Sequence, residues 1–166
     1  MKCIFAALMG CLFSISIIAS ETVGTEPYIG NAAQGKSKGA MCAGCHGADG
    51  NSPSGDFPKL AGQHASYVAS ALSRYRKGSR ANSVMQGMAA ALTDEDIADL
   101  AAYYSEQTVS AGAAEKELVV RGEELYRFGD QSKGISACQA CHGPTGRGVS
   151  SALFPSLNGQ WASYAE

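Results

Sequence analysis

Beyond its first twenty residues, the chain repeats its apolar positions mostly at helical spacing. Tyr67, Val68, Ala71, Leu72 and Tyr75 form a stripe over 65–77, and Gly78 closes it. Ile97, Leu100, Ala101 and Tyr104 mark the i, i+3, i+4, i+7 face of a second helix. Thr93 is its expected N-cap, with Asp94, Glu95 and Asp96 in the first turn, where the helix dipole favours negative charge. Residues 31–39 read as an opening helix whose glycines suit close packing. Residues 115–128 read as another, with Leu118, Gly122, Leu125 and Tyr126 near one face. The stretch 51–60 contains Pro and Gly and reads as a loop. No convincing strand alternation occurs, so the expected fold class is all-α.

The first twenty residues follow another rule. Met1 and Lys2 are followed by an apolar run from Cys3 to Ala19, and Glu21 ends it. This predicts a secretory signal peptide over 1–20, with an uncleaved membrane anchor as the alternative. Its removal takes away Lys2 alone among the charged residues, leaving 12 basic against 15 acidic side chains. Such a weakly acidic chain has no block of like charge to suggest a nucleic-acid partner. It would be steered towards basic patches on other proteins.

Six cysteines are present. Cys3 and Cys11 lie in the leader. The rest form two identical arrangements, Cys42-Ala43-Gly44-Cys45-His46 and Cys138-Gln139-Ala140-Cys141-His142. A histidine directly after a Cys-x-x-Cys pair is the signature of c-type haem attachment. On a helical turn the two sulfurs share a face and the imidazole lies beside them. Both sulfurs can then reach the vinyl edges of one porphyrin while the imidazole lies over the iron. A zinc ribbon spaces its pairs about 15–20 residues apart, whereas 92 residues separate Cys45 from Cys138. A thioredoxin-like pair wants a βαβ setting that is missing here. The expected cofactors are two haem c groups, bound covalently by Cys42, Cys45, Cys138 and Cys141. His46 and His142 are the expected axial ligands.

The chain also repeats itself. The offset is 96 residues from Cys42 to Cys138 and 97 from Phe57 to Phe154. Phe57-Pro58-Lys59-Leu60-Ala61-Gly62-Gln63 returns as Phe154-Pro155-Ser156-Leu157-Asn158-Gly159-Gln160, and Ala65-Ser66-Tyr67 returns as Ala162-Ser163-Tyr164. Residues 107–114, rich in small side chains, read as the linker. A haem-ligating histidine needs its second nitrogen held. A carbonyl in the Phe57-Pro58 loop is the expected acceptor for His46, and one in the Phe154-Pro155 loop for His142. Met85 or Met88, on the loop between two helices, would approach the opposite face of the first haem. Thioether ligation favours reduced iron and raises the potential. His64 reads as a surface residue. Arg74, Arg76, Lys77 and Arg80 read as a solvated helix face.

These features resemble the dihaem class I cytochromes c of the cytochrome c4 family. The resemblance rests on both Cys-x-x-Cys-His-Gly motifs, Asp49-Gly50-Asn51-Ser52, the two Phe-Pro-x-Leu stretches, Met85-x-Gly87-Met88 and Leu92-Thr93-Asp94 through Tyr104. It implies two tandem helical class I cytochrome c domains that exchange electrons with each other and with respiratory partners. It also implies that Met85, rather than Met88, is the axial ligand opposite His46. The expected division is a signal peptide at 1–20, a first domain at 26–108, a linker at 109–114 and a second domain at 115–166. The counterpart of Met85 in the second repeat would fall beyond Glu166, so that domain is read as incomplete at its C-terminus.

The expected function is single-electron transfer in the periplasm, without catalysis. Partners would be redox proteins such as a respiratory oxidase or a cytochrome complex, with peripheral membrane association a further option. The alternatives are a cytochrome subunit of a larger oxidoreductase, such as a flavocytochrome sulfide dehydrogenase, or a dihaem enzyme with an open second haem.

Overall fold

The structure is a computed structural model that describes residues 29–165. The signal-peptide reading over 1–20 lies outside the described residues. Among the described residues, eight α-helical segments follow in chain order: α1 (Ala32–Lys38), α2 (Ala43–His46), α3 (Ala65–Arg76), α4 (Ser83–Ala89), α5 (Asp94–Ser105), α6 (Lys116–Phe128), α7 (Gln139–His142) and α8 (Ala162–Ala165). Among the described residues, extended pairing is limited to two isolated bridges, Asp130 with Ile135 and Val149 with Phe154. The all-α expectation holds.

Local chemistry starts three of these segments. Asn31 caps α1 by accepting the Gln34 N–H at 3.1 Å. Thr93 caps α5 in a full capping box: its hydroxyl accepts the Asp96 N–H at 3.0 Å, and the Asp96 carboxylate accepts the Thr93 N–H at 2.9 Å. Asn82 caps α4 by accepting the Met85 N–H at 2.9 Å. The Met85–Met88 stretch is therefore helical and not the loop expected from sequence. At seven residues, α4 is too short to display an apolar period, and its polar cap initiates it.

The core of the first repeat lies where α1 crosses α5. Leu100, Tyr103 and Tyr104 are buried, with Ala32, Cys42, Leu60, Leu72 and Leu92 packed around them. The helices touch at backbone distance. A Cβ on Gly35 would lie 2.0 Å from the Asp99 carbonyl oxygen, so only glycine fits. Asp99 is fully buried; it accepts the Asn31 N–H at 2.6 Å and a Lys38 ammonium proton at 2.7 Å. Lys38 also pairs with Asp96 at 2.8 Å. Hydrogen bonds to the two carboxylates raise the Lys38 pKa, and the Lys38 bond lowers that of Asp96. α3 packs on α5 through Val68 and Leu72.

The second repeat reuses the attachment loop but presents its helix differently. Leu157 and Asn158 donate to the Gly146 carbonyl at 2.7 and 3.1 Å, as Leu60 and Ala61 do to Gly50 at 2.7 and 3.1 Å. The loop after each attachment turn is held by a tyrosine from a different helix. In the first repeat Tyr103 of α5 donates to the Ala48 carbonyl at 2.8 Å, and in the second Tyr126 of α6 donates to that of Gly143 at 2.6 Å. No residue of α6 is buried, and Leu118, Val120 and Phe128 are well exposed.

The repeats meet along their Phe-Pro-x-Leu loops and the starts of α3 and α8. Trp161 Nε1 donates to Ser52 Oγ at 2.8 Å, and Ser66 Oγ donates to the Ser150 carbonyl at 2.8 Å. The His64 ring donates from Nε2 to the Arg147 carbonyl at 2.7 Å. His64 is thus an interface residue and not the surface residue expected. Arg80 also departs from the solvated-face reading. It donates to Tyr67 at 3.4 Å and to Tyr164, the repeat counterpart of Tyr67, at 3.3 Å.

Candidate haem sites

Each attachment motif folds as a single helical turn. In the first, Cys45 and His46 both donate backbone protons to the Cys42 carbonyl, at 3.3 and 3.0 Å. In the second, Cys141 and His142 do the same to Cys138, at 3.2 and 3.0 Å. The turn places the two thiols of each motif and its imidazole together. None of these four cysteines is paired in a disulfide. Burial raises the Cys42 pKa, and the Tyr104 hydroxyl beside it partly opposes this.

The histidines are held as a metal ligand requires. His46 Nδ1 lies 2.8 Å from the Pro58 carbonyl oxygen, and His142 Nδ1 lies 2.8 Å from that of Pro155. A carbonyl only accepts, so Nδ1 carries a proton in both rings, and the neutral form of each ring then has its lone pair on Nε2. This is the tautomer that binds iron through Nε2, with the second nitrogen fixed. His46 is buried, and desolvation lowers its pKa and favours the neutral ring. An aromatic ring flanks each imidazole. Phe57 lies 6.3 Å from the His46 ring centroid and Phe154 lies 6.1 Å from that of His142.

The residues present fit covalently attached haem. Each turn offers two cysteine sulfurs at i and i+3 and one imidazole fixed through Nδ1. The Tyr104 hydroxyl is buried beside the Cys42 sulfur.

Met85 and Met88 lie three residues apart on α4 and share one side of it. Both side chains are half-buried, so burial does not separate them. α4 packs against α3, the helix that follows the Pro58 loop.

Some functional residues escaped the sequence reading. Asn51 fastens the segment after α5: its amide donates to the Thr108 carbonyl at 3.0 Å, and its carbonyl accepts the Ser110 N–H at 2.7 Å. Lys59 is buried, donates to the Ser110 carbonyl, and lies 4.5 Å over the Trp161 ring. Gln63 and Gln160 cross between the repeats, each bonding the other repeat's loop. The available signal was the return of Gly-Gln at the offset of 97; it marked the pair without revealing its partners.

A family model described as Cytochrome c matches residues 32–107. Cytochrome c4 from Pseudomonas aeruginosa is 47% identical over 135 residues, covering 81% of this chain and 67% of that protein. A thiosulfate dehydrogenase electron acceptor from Thiomonas intermedia is 43% identical over 135 residues, covering 76% of this chain and 60% of that protein. Among solved structures, reduced recombinant cytochrome c4 from Pseudomonas stutzeri matches with a TM-score of 0.77 at 44% identity, over 81% of this chain and 76% of that one. The cofactor is therefore haem c, covalently bound, and two haems per chain agree with the family. With its two helical repeats of class I cytochrome c type, the chain belongs to the cytochrome c4 family of electron-transfer proteins.

Proposed function

We propose that this chain is an exported carrier that passes single electrons between respiratory redox proteins in the periplasm, and that it is not itself an enzyme. The observation that carries the reading is the pair of attachment turns, each with its histidine fixed by a proline carbonyl at 2.8 Å. In this reading Cys42 and Cys45 hold one haem, and Cys138 and Cys141 the other. His46 and His142 are axial ligands, and Met85 lies opposite His46. The domains are 26–108 and 115–166, joined by 109–114.

Bound haem supplies a one-electron couple. The protein's share is to place and tune it. Pro58 and Pro155 orient the imidazoles and make them better donors, since a hydrogen bond from Nδ1 raises ligand basicity. A histidine and a methionine together would fill both axial positions, leaving no coordination site for a substrate at the first iron. The name of the Thiomonas intermedia relative supports a role as acceptor for a dehydrogenase. The slight negative charge suits encounter with basic patches on such partners.

The test is an optical spectrum of the exported holoprotein, oxidised and reduced, with a pyridine haemochrome count. The expected result is two c-type haems per chain, both low-spin, with the far-red Met–iron band present. A high-spin haem that turns over peroxide or thiosulfate would replace the carrier with an enzyme. A mature mass equal to that of the chain without haem would remove both readings.

A further inference from the structure

The peptide groups that hold the two histidines are also those through which the repeats are joined. Pro58 supplies the acceptor for His46, and Lys59 follows it. The Lys59 N–H donates to Gln160 Oε1 at 2.9 Å, and the Lys59 carbonyl accepts from Gln160 Nε2 at 3.0 Å. Pro155 supplies the acceptor for His142, and Ser156 follows it. The Ser156 N–H donates to Gln63 Oε1 at 2.8 Å, and the Ser156 carbonyl accepts from Gln63 Nε2 at 3.0 Å. Lys59 and Ser156 are counterparts at the offset of 97, as are Gln63 and Gln160. Each Oε1 also accepts the N–H that follows its own residue, His64 at 3.0 Å and Trp161 at 3.1 Å. Flipping either carboxamide would set donor against donor and acceptor against acceptor, so both orientations are locked.

A continuous path results. It runs from His46 Nδ1 to the Pro58 carbonyl and through the Pro58–Lys59 peptide to the Gln160 carboxamide. The Gln160 backbone N–H returns to the Leu157 carbonyl at 3.1 Å. Two covalent residues further back, the Pro155 carbonyl accepts from His142. A second path runs in the opposite sense through Gln63, whose N–H donates to the Leu60 carbonyl at 3.1 Å. Electron tunnelling decays more slowly along covalent and hydrogen bonds than across a gap. Hydrogen-bonded peptides in a weakly polar interior also polarise one another. With haem bound, a change of charge at one iron would alter how strongly its imidazole donates, and this path would carry the change to the other imidazole.

We propose that Gln63 and Gln160 are positioning residues for electron exchange between the two haems, joining the Pro58 and Pro155 loops into one bonded route. This rests on the reading of His46 and His142 as iron ligands. The test uses the holoprotein carrying Gln63→Met and Gln160→Met, singly and together. Methionine keeps the length and removes the carboxamide. A comparison protein carries Trp161→Phe and Ser66→Ala, which remove the Trp161–Ser52 and Ser66–Ser150 bonds but leave the route intact.

Intramolecular electron transfer after flash reduction should slow severalfold in the double glutamine variant. The single variants should fall between it and the parent, and the comparison protein should keep the parent rate. The effect of one haem's oxidation on the other's potential should shrink in step. Amide exchange at Lys59 and Ser156, a readout independent of electron flow, should speed up only in the glutamine variants. An unchanged rate in the double variant would overturn the proposal. So would an equal loss in the comparison protein, because the interface in general would then be responsible. If the double variant does not fold, Gln63→Glu and Gln160→Glu decide: they keep the acceptor, lose the donor, and should give a smaller loss. Failure of the ligand reading would show separately, as a parent protein without two low-spin haems.

Discussion

At the scale of single residues, the site depends on which atom of each side chain is committed. His46 commits Nδ1 to the Pro58 carbonyl and His142 commits its Nδ1 to that of Pro155, which leaves Nε2 of each ring open, as the proposed iron ligation needs. Tyr104 keeps a buried hydroxyl against Cys42. Met85 and Met88 occupy successive turns of α4 with similar burial, so their roles separate only by experiment. Met85→Ala should abolish the far-red Met–iron band of the first haem and lower its potential, because the thioether favours reduced iron. Met88→Ala should keep the band. Loss of the band in Met88→Ala instead would reverse the assignment.

At the scale of elements, the first repeat is held by a helix crossing that its sequence encodes from both sides. The capping box sets where α5 begins and so where Asp99 faces α1. Gly35 lets the two backbones meet. Gly35→Ala should destabilise the protein by about 1–3 kcal/mol, the usual cost of forcing a methyl into a packed contact. The measurement is a denaturant midpoint followed by far-ultraviolet dichroism, and an unchanged midpoint would mean that the crossing relaxes freely. The attachment turns are elements of a different kind. A four-residue helix gains little from its own hydrogen bonds, so these turns depend on the Pro58 and Pro155 loops that brace them.

At the scale of the whole molecule, the interface is polar and reciprocal. Tryptophan, serine, histidine and two glutamines bond loops between the repeats. Arg80 links Tyr67 to Tyr164, and Lys59 ties the segment at Ser110 to the Trp161 ring. The net charge of −2 for the whole chain adds a long-range term to encounters. The second-order rate with a basic redox protein should fall as ionic strength rises, while the intramolecular rate stays flat. Stopped-flow kinetics over a salt series measures both. A rate that rises with salt would show instead that the face of this chain that meets the basic partner is itself positive.

The sequence by itself determined whatever depends on spacing within a few turns of chain. The Cys-x-x-Cys-His pairs, the Thr93 cap, the stripes of α3 and α5 and the repeat at 96–97 are relations between near neighbours or between two similar strings. The carbonyl partners of His46 and His142 were also legible, since they lie only 12 and 13 residues away in a loop of restricted conformation. Tertiary structure decided the rest. Gln63 meets Ser156 across 93 residues and Gln160 meets Lys59 across 101, and no local pattern specifies which polar groups two loops will offer each other once they dock. His64 and Arg80 looked solvated for the same reason. The partner of His64 and one of the two partners of Arg80 belong to the other repeat, and a polar side chain carries no mark of whether water or a distant group will satisfy it.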